Sequence, residues 1–327
     1  MTRFDSRRRV STYTSVWMPT DDETPQPVAG YFAGGYDGST IYSGIDKITF
    51  ADDSKSTLSA TLTSALFSLA GMANSTVAGY IGGGKGSGGV RVSRIDKITF
   101  PADTKSTLSA TLTSARSNAA GMANSGVAGY FGGGDDSSAT NLSGIDKITF
   151  ADDSKSTLSA TLTGAMGGGI SAVANSGVAG YFGGGQATDG NFLSGIDKIT
   201  FSSDSKSTLS ATLSSVRYSL GAMANSGTAG YFAGGTDNTS IFNNIDKITF
   251  STDTKSTLSA TLTTARNGLA GFANSGTAGY VGGGWNGSNY VSGIDKITFS
   301  ADTKSTLSAT LTSARYLMAG MADSGTL

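Results

Sequence analysis

The chain has 327 residues, a formal net charge of −1, and 14% charged against 38% hydrophobic residues. It has no cysteine, no histidine and one glutamate, Glu23. This composition supplies a core, but it excludes disulfides and thiolate chemistry, argues against a nucleic-acid partner, and removes the usual zinc and copper ligands and the usual general acid–base groups. The expectation is a protein that is not an enzyme, with no cofactor and no metal. There is no apolar run of about 18 residues to suggest membrane insertion, and "MTRFDSRRRVSTYTSVW" lacks the apolar block of a signal peptide.

The first segment, residues 1–27, matches nothing later in the chain. It holds three of the four prolines, the triplet Arg7-Arg8-Arg9, Trp17, and the acidic run Asp21-Asp22-Glu23. A polar arm of this kind cannot bury enough surface to offset its own ordering entropy. It is expected to be extended and to anchor the chain to other protein subunits, with Arg7, Arg8, Arg9 and Trp17 as the anchoring residues.

From Val28 the sequence repeats. "AGY" recurs with its tyrosine at Tyr31, Tyr80, Tyr130, Tyr181, Tyr231 and Tyr280, a period of 49 to 51 residues. "IDKITF" and "STLSATL" each occur six times in the same phase. Each unit predicts four strands. "AAGMAN" turns through "NSG" into "VAGYFGGG", since Asn and Gly accept the left-handed backbone of a tight hairpin. A variable loop leads to "GIDKITF", rich in β-branched residues. "ADDSKS" is then expected to be a turn and "TLSATLT" the fourth strand, because Leu58, Ala60 and Leu62 alternate with Thr57, Ser59 and Thr61.

Four strands at this period mark a propeller blade, although a β-helix shares some of the pattern. The domain is therefore residues 28–327, an all-β, six-bladed propeller of four-stranded antiparallel blades. The chain begins at a second strand, "VAGYFAGG", and ends in a first strand, "LMAGMADSGTL". Pairing the two would put N- and C-terminal strands in one blade and leave no raw edge. Ala and Gly in the first strand suit the crowded axis.

Strands run alternately up and down, so loops fall on two faces. The "NSG" and "ADDSKS" turns share one face and barely change between units. The loop after the glycines and the link after "LTSA" share the other and change in every unit. The changing positions carry aromatic residues among Ser, Gly and Asn, which is the chemistry of an adaptable contact surface. The candidate binding residues on this face are Tyr36, Tyr42, Arg91, Asp135, Phe192, Tyr218, Phe242, Trp285, Tyr290 and Tyr316, with a glycan or a host surface as the ligand. Asp46, Lys47 and their copies are expected to be solvated charges of little consequence.

The unit resembles a kelch repeat. The resemblance rests on "SAR" at Ser114 to Arg116, the glycine run Gly132 to Gly134, and the "GIDKI" strand, and it spans all six units, about nine-tenths of the chain. Ile48 and Leu58 stand near the places where kelch repeats usually carry Tyr and Trp. Ser202 to Leu209 is also similar to the Asp-box turn of sialidase-type propellers, with Lys206 in place of its glycine and Leu209 in place of its tryptophan. The resemblance implies that Asp53, Asp103, Asp153, Asp204, Asp253 and Asp302 accept backbone hydrogen bonds within their own turns, with calcium binding as the alternative. The glutamate of the sialidases and the Cys and His ligands of the kelch-type copper oxidases are absent. Repeats this uniform, with an arm and a variable face, are similar in style to a bacteriophage fibre or capsid-surface protein. That implies a virion component assembled in the host cytoplasm. A carbohydrate-binding lectin and an intracellular kelch-type scaffold are the alternatives.

Overall fold

The computed structural model describes residues 28–323. Short runs of β-branched and aromatic residues form antiparallel strands, and the Asn-Ser-Gly and Gly-Gly steps set where the chain reverses. Six four-stranded sheets result. In blade 2 the strands from the axis outward are Ala70–Asn74, Ala78–Gly82, Ile95–Thr99 and Thr104–Thr107. Blades 3 to 6 repeat this order from inner strands Ala120–Asn124, Ser171–Asn175, Gly221–Asn225 and Ala270–Asn274. Blade 1 draws on both ends of the chain: Ala319–Ala322 pairs antiparallel with Ala29–Ala33, Tyr31 opposite Met321, and Ile45–Thr49 and Ser54–Thr57 complete the sheet. The inner strands neighbour one another in a closed cycle. The fold is thus a six-bladed β-propeller closed by its first and last strands. Among the described residues the one helical element is a turn at Ser87–Gly89, and no helix is long and apolar enough to cross a membrane.

The outer strand is not the expected one. It is "SKST" or "TKST", for example Ser54–Thr57, paired in register Thr49 to Ser54 and Asp46 to Thr57. The reversal occupies Phe50 to Asp53, and Asp53 and its five copies take a left-handed φ of 51° to 57°. That tight turn lets the ladder resume at once. It ends with Leu58 N–H donating to Ile45 O at 2.9 Å, and "LSATL" then leaves the sheet towards the next blade. Its alternation is real, with Leu62 buried and Ser59 and Thr61 exposed. The pattern comes from packing over the blade interface and not from strand pairing.

Each blade interface is an apolar layer with two polar clasps. Tyr31 stacks on Phe100 of blade 2 at 5.1 Å, and the same Tyr–Phe pair recurs round the ring to Tyr280 with Phe50. The Met321 side chain fills the space where a Cβ on Gly79 would stand, so "AGY" must keep its glycine.

The first clasp overturns the expected role of the turn aspartates. Their carboxylates do not cap their own turns. Asp103 accepts from the Tyr31 hydroxyl at 2.8 Å and from Lys47 Nζ at 2.7 Å, both on the preceding blade. The same bonds recur at every interface, closing with Tyr280 and Lys296 on Asp53. The Lys47 ammonium also lies 5.5 Å from the Tyr31 ring centre, a cation–π contact. The local capping falls instead to the neighbouring Asp52 and Asp152, which accept from the N–H of Ser54 and Ser154.

The second clasp corrects the reading of Asp46 as a solvated charge. Asp46 and its copies are at most 3% exposed. Asp46 accepts from Thr312 N–H at 2.9 Å, Thr312 Oγ1 at 2.6 Å, Thr57 Oγ1 at 2.9 Å and Arg315 at 2.8 Å. Burial pushes this carboxyl up, but the Thr312 bonds and the Arg315 charge outweigh it and hold it below the usual carboxylate range. Arg116, Arg217, Arg266 and Arg315 are all buried in this role. Where Leu66 takes the arginine's place, Arg94 approaches Asp96 at 3.6 Å from the other side. Where Met166 does, Asp197 keeps its Thr163 and Thr208 bonds with Lys206 at 3.6 Å.

Two series of bonds tie the blades at the axis. On the variable face, left-handed residues link end to end: Asn118 donates to Ser68, Ser68 to Leu317, Leu317 to Gly268, Gly268 to Ser219 and Ser219 to Gly169, at 2.7–2.9 Å. On the other face, Asn74, Asn124, Asn175 and Asn225 each accept from a glycine N–H of the next blade at 2.8–2.9 Å. Blade 1 carries Asp323 at that position. Its carboxylate accepts from Ala29 N–H at 2.7 Å. Burial pushes this carboxyl up to about 6, with Asp103 adding to the rise and Lys47 opposing it. The folded state therefore holds this proton more tightly than the unfolded chain, whose carboxyl titrates near 4. The stability contributed is present below pH of about 4 and is lost as pH rises through about 6. Asp323→Asn restores the amide of the other blades. Denaturation of both proteins across pH 4 to 7.5 should show the variant gaining on the wild type as pH rises. Parallel pH profiles would contradict the assignment.

Candidate functional site

The axial cavity is not the site. It has a volume of about 90 Å³, far below the several hundred Å³ of a small-molecule pocket, and is lined by the Ala and Gly of the inner strands and by the residues that lead into them, such as Ser68, Asn118, Ser219 and Leu317. The turns on one face repeat almost unchanged, so chemical individuality resides in the opposite face.

That face has its own register. In each blade the link residue pairs through the backbone with the first residue after the glycines, which pairs with a residue on the returning side of the loop. Tyr316 and Tyr36 exchange N–H to O bonds at 3.0 and 3.1 Å, and Tyr36 also bridges Ile41. The corresponding triplets are Phe67–Lys85–Arg91 in blade 2, Ser117–Asp135–Asn141 in blade 3, Tyr218–Thr236–Ile241 in blade 5 and Asn267–Trp285–Tyr290 in blade 6. In blade 4 Gln186 bridges Phe192 and exchanges backbone bonds with Gly167 and Gly168. Every triplet stands on one backbone plan while most of its side chains differ from blade to blade, the Tyr and Ile shared by blades 1 and 5 being the exception. The penultimate glycine of each run is left-handed at φ 65° to 71°, which holds the loop in this arrangement.

The structure brings four of the expected residues together. Trp285 contacts Tyr290 at 4.8 Å between ring centres, Tyr290 contacts Tyr316 at 5.1 Å, and Tyr36 lies 6.1 Å from Tyr316 and 6.4 Å from Tyr290. Phe67, not singled out from the sequence, extends the row by stacking on Tyr36 at 5.3 Å. The result is one aromatic strip over blades 6, 1 and 2, every ring half-buried. Tyr316 covers Gly268 of the axial series, and Tyr290 lies against Gly38, so the loops of blades 6 and 1 interdigitate. Lys85 sits over the outer face of Phe67 at 5.9 Å.

The other expected residues are placed elsewhere. Phe192 and Tyr218 stack at 4.9 Å as a separate pair between blades 4 and 5. Arg91 and Asp135 form an ion pair with each other across blades 2 and 3, and Ser117 and Asn118 complete the Asp135 carboxylate. Tyr42 and Phe242 lie over the buried guanidinium groups of Arg315 and Arg217 at 5.5 and 5.9 Å. The arm residues Arg7, Arg8, Arg9 and Trp17 fall outside the described residues. Asp37 was also missed. Its carboxylate is held well below the usual range by the Tyr42 hydroxyl and the N–H groups of Thr40 and Ser39. The signal for Phe67 was available, since it stands in the same register as Tyr218 and Tyr316.

No protein-family model matches the chain, and no curated protein matches it. The strip offers aromatic contact area. The position of Phe242 predicts a stability role: Phe242→Ala should lower unfolding free energy by about 1–2 kcal/mol, through the lost cover of Arg217, and leave surface contacts of the strip intact. Unchanged denaturation would show that Phe242 is free for a ligand.

Proposed function

We propose that this protein is a non-enzymatic binding propeller and a virion component, anchored through residues 1–27 and meeting its partner with the variable loop face. The observation that carries the reading is the concentration of variation in the loops of one face of a largely repeated scaffold, with aromatic side chains gathered into one strip. Exposed loops drift, but the turns of the opposite face are exposed as well and stay nearly constant. Rigid rings mounted on a fixed backbone are the side chains that dominate contact energies.

Two further features support it. The chain enters the ring at Val28, whose carbonyl accepts from Phe50 N–H on the invariant-turn face, so an arm would leave on the side opposite the strip. Exposed Val77, Val127 and Val178 stand at the equivalent turns on that side. The repeated aspartates are also committed to the two clasps, where their carboxylates serve packing between blades.

Isolated from its native source, the full chain should sediment with a large assembly and residues 28–327 alone should not. Assemblies carrying Trp285→Ala or Tyr290→Ala should attach to their target at least tenfold more weakly, while thermal unfolding moves by no more than a typical point substitution of about 1 kcal/mol. Assembly without the arm would remove its anchoring role, and full attachment by the alanine variants would overturn the assignment of the face.

A further inference from the structure

The strip has a chemical character more specific than aromatic. It is amphipathic at the scale of a single ring. Trp285, Tyr290 and Tyr316 present half-buried faces, and among the described residues no hydrogen-bond partner meets the Trp285 indole N–H or the Tyr290 and Tyr316 hydroxyls. Burial pushes both phenols up, so each hydroxyl remains a donor and acceptor at neutral pH. A ligand here meets flat carbon surfaces bordered by unengaged donors and acceptors.

Charge around the strip is sparse. The Asp37 carboxylate beside it is taken up by the Tyr42 hydroxyl at 2.5 Å and by Ser39 and Thr40 N–H at 2.9 and 2.7 Å. Arg91 is paired with Asp135. Lys85 sits at one end, over Phe67. An anionic ligand would lose hydration without gaining a counter-charge at Trp285, Tyr290 or Tyr316 and would meet the ionised Asp37 carboxylate beside Tyr290. The spacing disfavours a proline-rich segment. Such a segment repeats about every 9 Å and seats its rings in slots between aromatic ridges. Rings 4.8–6.4 Å apart between centres touch and leave no slot.

Resting on the proposed binding role of this face, we propose that the Trp285–Tyr290–Tyr316–Tyr36 strip binds a neutral saccharide. A pyranose ring has the complementary form: a carbon–hydrogen face to lie on the indole and phenol rings, and a rim of hydroxyls to meet the indole N–H and the phenolic hydroxyls. Consecutive sugar units would follow the row from Trp285 towards Phe67.

The test uses the full chain with Trp17→Phe, which leaves Trp285 as the sole indole of the two in the protein. Chitohexaose, cellohexaose, maltohexaose and mannohexaose are titrated against Trp285 fluorescence, with a heparin hexasaccharide and decaproline as competitors of other chemistry. At least one neutral hexasaccharide should shift the emission saturably. Calorimetry with the same sugar should show at least a tenfold weaker Kd for Trp285→Ala and for Tyr316→Ala, with Tm nearly retained, and an unchanged Kd for Ser59→Ala, an exposed residue away from the variable loops. The proposal is overturned if no neutral hexasaccharide binds, if only heparin or decaproline binds, or if the alanine variants bind as the parent does. Loss of target attachment by Trp285→Ala without saccharide binding would sink the saccharide alone. Normal attachment by that variant would sink the binding face itself.

Discussion

The carboxylate at the tip of each left-handed turn holds this molecule together, because it bonds to the blade before it. A single four-stranded blade has two apolar faces and cannot bury either alone. The ring buries both only if neighbours stay in register. Asp103 sets that register by receiving the Tyr31 hydroxyl and the Lys47 ammonium together. A buried phenol without its partner would cost about 1–3 kcal/mol, a large share of a domain stability of about 5–15 kcal/mol. The Asp46 cluster repeats the same logic from the other side, fixing the incoming link by Thr312 and Arg315. The bonds are partly or wholly buried, so they escape the screening that makes surface pairs weak.

Division of labour between the two faces follows. The clasps, the stacked Tyr–Phe pairs and the axial bonds define the backbone on which the loops stand. The triplet side chains take little part in that frame, so they differ from blade to blade without disturbing it. Exceptions show the boundary. Tyr42 and Phe242 lie in the variable loops but cover buried arginines, and Arg91 and Asp135 satisfy one another. The outer strands meet a different demand. Each is an unpaired edge of four residues, and each carries a central lysine, as at Lys55, which discourages edge-to-edge association.

The period, the number of blades, the closing strand and the two faces were legible in the sequence because each is a matter of counting and complementarity along one chain. The outer strand was not, since the alternation of Leu58, Ala60 and Leu62 looks the same whether it faces a ladder or a blade interface. The left-handed Asp53 that moves the ladder forward has no mark beyond being an aspartate. The clasps were illegible for a related reason: Asp46 and Thr312 lie on different blades, and no local pattern joins them. One signal did exist. Arg94 appears in the unit where Leu66 replaces the usual arginine, a compensation that comparison of the units reveals. In the site, Tyr36 and Tyr42 read alike as loop aromatics. The equivalents of Tyr42 are Val92, Leu142, Leu193, Phe242 and Val291, apolar in every unit, which marks an inward position. The equivalents of Tyr36 include Lys85, Asp135 and Gln186, which marks an outward one.

The central claim is that stability belongs to the closed ring and not to the individual blade. Removing residues 317–327 tests it directly, because this takes away the inner strand of blade 1, the axial link at Leu317 and the Asp323 contact with Ala29 in one step. Thermal unfolding and size-exclusion chromatography of the truncated chain should show loss of the cooperative transition and association through the exposed edge of Ala29–Ala33, with both restored when residues 317–327 are placed immediately before Val28. A truncated chain that stays monomeric and unfolds at the wild-type Tm would contradict the account.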